Sequence, residues 1–285
     1  MEILKAFSLF RSKLRRQLLY GVVAFSVTLG LGLATPQPSQ AGLFDLIFNG
    51  IQVLQISNMS DSQEQDFGRR INQQLLNSGE FRLYNNAAVT GYVDNIGQRL
   101  VPHSDRPDIP YVFQVVEDDS INAFATMGGY VYVTTGLLQA ADNEAEVAGV
   151  LGHEIGHIAE KHALDRMRDA AIAQGVTGAL GVNRDRLVNI GMQVALQLPA
   201  GREDEYQADE HGFYTMGEAG YDQSAMASFM QKLVRRGSPP EFLSTHPDAR
   251  NRVNGLQRLD QEESIETSTD GISPSTYDTQ ISSLR

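Results

Sequence analysis

The chain has 285 residues, enough to bury one or two cores, and a formal net charge of −12. It contains no cysteine, which excludes thiol catalysis, disulfides, cysteine metal ligands and a lipidated N-terminal cysteine, and leaves nitrogen and oxygen to hold any metal. Beyond residue 41, no basic stripe and no interleaving of aromatic with basic residues offsets the acidity, which argues against nucleic acid as a partner and against general attraction to anionic lipid.

At the N-terminus, Lys5, Arg11, Lys13, Arg15 and Arg16 precede the uncharged run LLYGVVAFSVTLGLGLA at 18–34. TPQPSQAG follows, with Ser39 and Ala41 as the small residues of a cleavage site. Residues 1–41 are predicted to be a secretory signal peptide, which sends the protein to the periplasm or cell envelope. The competing reading is an uncleaved anchor, for which this apolar run is short. Cleavage would remove five basic residues and one acidic one, leaving a still more acidic chain. Residues 42–60 then place Leu43, Leu46, Ile47, Ile51 and Leu54 near helical spacing. They predict an amphipathic segment that packs on the core, with peripheral membrane association as its alternative.

From Asp61 to Leu100 the pattern predicts two scaffold helices. YVFQVVED at 111–118 and YVYVTTG at 130–136 are rich in β-branched and aromatic residues and predict strands of a small antiparallel sheet. As an edge, the strand at 130–134 would let an extended substrate add alongside it; as a core strand, it would not.

Next comes GVLGHEIGHIAEKH at 149–162. Asp142 or Asn143 is a plausible N-cap, and Val147, Val150, Leu151, Ile155 and Ile158 recur at helical spacing. His153 and His157, four apart on one helix face, can reach one ion, and Glu154 is rotated about 100° from His153 towards that ion's open side. A catalytic zinc needs a third protein ligand and a position left for water. Residues 165–200 are compatible with two helices roofing a cleft, their glycines serving either as lid hinges or as points of close packing. Beyond Pro199, a helix from Glu203 to Gly217 or Gly220 sets Glu205 and Asp209 four apart. Glu205 can complete the ligand set, and Asp209 can accept the spare ring N–H of a ligand histidine. Glu203, Asp204 and Glu210 read as a solvated face, and Asp222 as the cap of a further core helix.

HEIGH at 153–157 followed by EYQAD at 205–209 resembles the M48 peptidases, the Ste24 and HtpX-like group of gluzincin zinc metallopeptidases. NAFATMGGYVYVTTGLL at 122–138, GYD at 220–222 and STHPDARNRV at 244–253 extend the likeness in order, over roughly 61–260. The resemblance implies one zinc per chain held by His153, His157 and Glu205, with Glu154 as general base. It favours the edge role for the strand, making Gly129, Tyr130, Val131, Tyr132 and Val133 a substrate seat. It also brings His246 and Arg252 to the metal, where His246 would steady an oxyanion or gate the open coordination position. His103, His162 and His211 read as structural or solvated, and 261–285 as a disordered tail.

The expected architecture is therefore α+β: a mostly helical zincin-like domain over 61–260 with a small antiparallel sheet beside the HExxH helix. The expected activity is zinc-dependent endoproteolysis of misfolded or stalled envelope proteins, its partners being unfolded or misassembled substrates. The rival is a zinc-bound chaperone or assembly factor with a gated or latent peptidase site. No peptide-repeat array follows the catalytic region, so partner docking is expected from the domain itself or from other chains.

Overall fold

The computed structural model describes residues 56, 59–79, 82–174, 184–236, 241–263 and 269–284. The expected signal peptide and almost all of the 42–60 segment lie outside them.

The two helices that the sequence predicts between Asp61 and Leu100 are present. Helix α1 (Asp61–Ser78) opens on a reciprocal cap: the Ser60 side chain accepts from Gln63 N–H and Ser60 N–H donates to the Gln63 side chain. Helix α2 (Ala87–Leu100) opens on Asn86, which accepts from Ala88 and Val89.

The sheet has three strands, β1 (Val112–Val116), β2 (Ala123–Ala125) and β3 (Tyr130–Thr134), in the order β1-β3-β2. The turn between β2 and β3 has Gly128 at φ 75° and Gly129 at φ 96°, left-handed conformations that cost glycine little. It reverses the chain, so β2 pairs antiparallel with β3, Ala123 opposite Val133 and Ala125 opposite Val131. β1 runs parallel to β3 on its other side, Val112 opposite Tyr130 through Val116 opposite Thr134. The sheet is thus mixed rather than antiparallel, and two expectations are corrected. β3 is central, and the main-chain groups of Tyr130 to Val133 are engaged by strands on both sides, so the Gly129–Val133 segment offers no edge for a substrate strand. The edge facing away from β1 is β2.

Alternation along the strands divides the interior in two. Val131 and Val133 face a core shared with α2 and with the long helix that follows the sheet, whereas Tyr132 stacks on Phe124 at 4.6 Å between ring centroids and joins a second core with Ile71 and Leu75 of α1. After the short α3 (Thr135–Ala140), α4 (Glu144–Ala159) is capped by Asn143, whose side chain accepts from Glu146 N–H. Every residue from Ala145 to Ile158 is buried, so this helix is a central strut rather than an amphipathic surface element.

Helices α5 (His162–Ala173) and α6 (Arg184–Gln197) follow, then α7 (Arg202–Glu218), α8 (Ser224–Val234), the short α9 (Glu241–Thr245), α10 (Ala249–Glu263) and α11 (Pro274–Gln280). Asp222 accepts from Ser224 N–H at 2.9 Å, the expected start signal for α8. α7 is the closest neighbour of α4. A Cβ at Gly212 would lie 2.7 Å from His153 N, and one at Gly156 would lie 2.9 Å from Ala208 O. Backbone meets backbone across this crossing, which only glycine allows.

Residues 269–284 correct the expectation of a disordered tail. Tyr277 and Ile281 are fully buried, the Tyr277 hydroxyl donates to Leu138 O at 2.6 Å, and Ala145 N–H donates to Gly271 O at the start of α4. Ser, Thr and Asp dominate this stretch, but two large apolar side chains suffice to seat it. Among the described residues, no helix is long and apolar enough to cross a membrane.

Candidate metal centre

His153, Glu154 and His157 project from the middle of α4, Glu205 and Asp209 from α7, His246 from the turn after α9 and Arg252 from α10. All are buried. One ligand atom from each of His153, His157, Glu205 and His246 lies within 4.8 Å of all the others.

A donor set about 2.0–2.1 Å from a tetrahedral zinc ion has edges of about 3.4 Å. Here His153 Nε2 is 3.1 Å from His157 Nε2 and 3.2 Å from His246 Nδ1, and His246 Nδ1 is 3.1 Å from Glu205 Oε1. Glu205 lies 3.6 Å from His153 Nε2 and 3.5 Å from His157 Nε2. Imidazole nitrogens and a carboxylate packed at these separations, in the absence of thiolates, fit a borderline divalent metal such as zinc.

The surrounding groups aim the ligands. Asp209 Oδ1 stands 3.0 Å from His153 Nδ1, within reach of a ring N–H there. Arg252, fully buried, forks onto Asp209 (Nε to Oδ2 2.8 Å, Nη2 to Oδ1 2.7 Å) and makes a very short contact to Glu205 Oε2. Burial opposes charge on both carboxylates. His246 and Arg252 beside Glu205, and Arg252 and His153 beside Asp209, outweigh that cost and hold both pKa values below the ordinary range. Burial dominates at His157 and pushes its imidazole well below the usual value, which favours the neutral, ligating form. At His246 burial also acts downward, but the Glu205 and Glu154 carboxylates prevail and raise it.

Glu154 belongs to no part of this ligand network. Its Oε1 is buried without a hydrogen-bond partner, and His246 Nε2, at 3.5 Å, is near enough for charge attraction only. A narrow cleft opens beside it, lined by Phe124, Ala125 and Thr126 of the β2 edge, by His157 and His246, and by Ala163, Arg166, Ala195 and Leu198 of the α5 and α6 region. The two helices expected to roof the cleft therefore do line it; the connection between them, 175–183, lies outside the described residues.

Of the other histidines, His103 and His211 stand at the surface, His211 2.6 Å from Glu160 and 2.7 Å from Asp105. Glu203 and Glu210 are exposed, as expected of a solvated face, while Asp204 Oδ2 accepts from Gly201 N–H at the start of α7. His162 was assigned no place at the centre by sequence, yet it is buried with its Nδ1 2.8 Å from His157 Nδ1. The signal was the fifth residue after the second motif histidine, just beyond the helix end.

A helix bearing HExxH, crossed by a second helix bearing a glutamate and flanked by a small mixed sheet, defines a zincin-type metallopeptidase. The chain belongs to peptidase family M48, whose family model matches residues 87–260. It is 33% identical over 227 residues to the beta-barrel assembly-enhancing protease of Escherichia coli strain K12, covering 71% of this chain and 46% of that protein. It is 25% identical over 236 residues to the mitochondrial metalloendopeptidase OMA1 of Schizosaccharomyces pombe, covering 78% of this chain and 70% of that one. The chain thus spans about half the length of the bacterial relative.

Proposed function

We propose that the protein is a zinc endopeptidase of the cell envelope that cleaves unfolded or misassembled proteins. The observation that carries the peptidase reading is the pairing of a four-donor cluster with a buried, unpartnered Glu154 oxygen on the cleft side. His153, His157 and Glu205 would hold the ion, oriented by Asp209 and Arg252. When bound, zinc lowers the pKa of water towards about 7 and polarises a carbonyl. Glu154 Oε1 takes a proton from water in the cleft, holds it, and returns it to the amine nitrogen leaving the cleaved peptide.

The ladder between β2 and β3 directs the N–H and C=O of Ala123 and Ala125 away from β3 and towards the cleft side of the sheet. A substrate segment adding there would bind through its main chain, indifferent to side-chain identity. That indifference suits misfolded clients, and the printed name of the Escherichia coli relative points to a related task in β-barrel assembly. The basic and apolar N-terminal stretch supports export to the periplasm or envelope.

A second reading rests on His246. Its Nδ1 takes the fourth vertex of the donor cluster, the place a catalytic site keeps for water. Such a protein is latent until His246 withdraws, and while latent it would hold clients as an assembly factor.

The test compares the chain from Gly42 with its Glu154→Gln variant for zinc content and cleavage of an unfolded protein such as casein. The expected result is one zinc in both, with cleavage reduced by about 10²–10⁴-fold in the variant. Zinc in both and cleavage in neither would favour the latent form; undiminished cleavage by the variant would remove Glu154 as the base.

A further inference from the structure

We infer that His162 and Gln207 form a hydrogen-bond relay that fixes the ring of His157, making them positioning residues for the metal. The inference rests on the reading of His157 as a ligand.

His157 turns its Nε2 to the donor cluster, so its Nδ1 faces away and meets His162 Nδ1 at 2.8 Å. His162 Nε2 in turn meets Gln207 Oε1 at 3.0 Å. An imidazole that ligates through Nε2 carries its proton on Nδ1 and must donate there. His162 must then accept at Nδ1, which places its own proton on Nε2, and Gln207 Oε1 receives it. One arrangement of protons satisfies all three residues, running outward from the metal. His153 is served differently, by the Asp209 carboxylate. The two ligand histidines are therefore held by partners of unlike charge, an anion for one and a neutral imidazole for the other.

Local backbone geometry produces the contact. α4 ends at Ala159, and Lys161 adopts the left-handed conformation at φ 59° before α5 begins at His162. For a residue with a side chain that conformation is uncommon. Lys161 Nζ reaches Asp61 Oδ1 at 3.1 Å, and Arg106 binds both Asp61 and the Ile158 carbonyl. The turn folds His162 back beneath the end of the helix it has just left, stacking its ring edgewise on His157 at 5.0 Å. Gln207, between Glu205 and Asp209 in sequence, comes from α7, so the relay ties both ligand-bearing helices together.

The test measures zinc affinity by chelator competition, together with the visible spectrum of the Co²⁺ form, for the unmodified protein and for His162→Ala, His162→Asn, Gln207→Leu and His157→Ala. His162→Ala is expected to weaken zinc by about 10–100-fold and to shift the Co²⁺ bands, with the thermal midpoint of the metal-free protein little changed. His162→Asn presents an amide oxygen near the position of Nδ1 and is expected to recover most of the affinity; Gln207→Leu is expected to lose several-fold. If His162→Ala binds zinc as tightly as the unmodified protein while His157→Ala loses it, the relay is overturned and the metal site stands. If His157→Ala also retains zinc, the ligand assignment itself is wrong and the relay falls with it. A loss in His162→Ala that tracks a lowered metal-free midpoint and is not restored by asparagine would assign His162 to packing alone.

Discussion

His246 and Arg252 are six residues apart, and the centre needs them for opposite reasons. Arg252 is a constant: it is fully enclosed and answers two buried carboxylates at once. Replacing it with methionine keeps volume but leaves Glu205 and Asp209 uncompensated, a change expected to cost about 3–5 kcal/mol in denaturant unfolding of the metal-free protein. Added zinc should recover part of that loss, because a divalent ion supplies charge to the same carboxylate. His246 is a variable. Removing its ring in His246→Ala should lower zinc affinity while raising casein cleavage about tenfold or more, as expected when a gate kept the competent state to a minor population. Cleavage that falls while zinc stays bound would assign His246 to steadying the oxyanion instead.

Among the elements, α4 was legible because three signals coincide within it: an asparagine cap, acidic residues in the first turn and an unbroken apolar stripe around the HExxH spacing. The crossing with α7 was half legible. The spacing of Glu205 and Asp209 announced the ligand and its helper, but nothing in the spacing of Gly152, Gly156 and Gly212 told that two backbones touch there. Gly212→Ala would set a methyl group 2.7 Å from the amide nitrogen of His153. It is expected to cost about 1–3 kcal/mol of stability and to loosen zinc by displacing the ligand helix, measured by unfolding with and without the metal. The sheet was misread for a specific reason. β2 is three residues long, Ala-Phe-Ala, with no β-branched residue to mark it, so the stronger signal of β3 was given the edge that β2 holds. His162 was missed because it begins a new helix, and the periodicity that found the two motif histidines stops at the helix end.

For the molecule as a whole, the last described residues act as a brace across the start of the ligand helix. Arg99 bridges to Asp270 at 2.8 Å, Tyr221 pairs with Asp270 across a short bridge, and the Tyr221 and Tyr92 hydroxyls both reach Glu144. Tyr277→Ala should therefore destabilise the domain by about 3–5 kcal/mol, as expected of a large buried aromatic in a core, read as a lowered midpoint in thermal unfolding. An unchanged midpoint would mean that 269–284 sits outside the cooperative unit. Composition alone could not find this segment, because its seat depends on Tyr277 meeting Tyr92 of α2 and Leu138 of α3, the latter 139 positions away.

The spread of the centre along the chain also sets a clock. His153 and Arg252 meet across 99 positions of sequence, and ribosomes release them in that order. A growing chain presents the HExxH helix first, then a helix carrying two carboxylates with no guanidinium to answer them, and only later the residue that closes the group. A chain stalled before Arg252 has every emblem of a protease and no assembled blade, so the moment at which the molecule becomes dangerous to its neighbours is deferred until Arg252 has emerged.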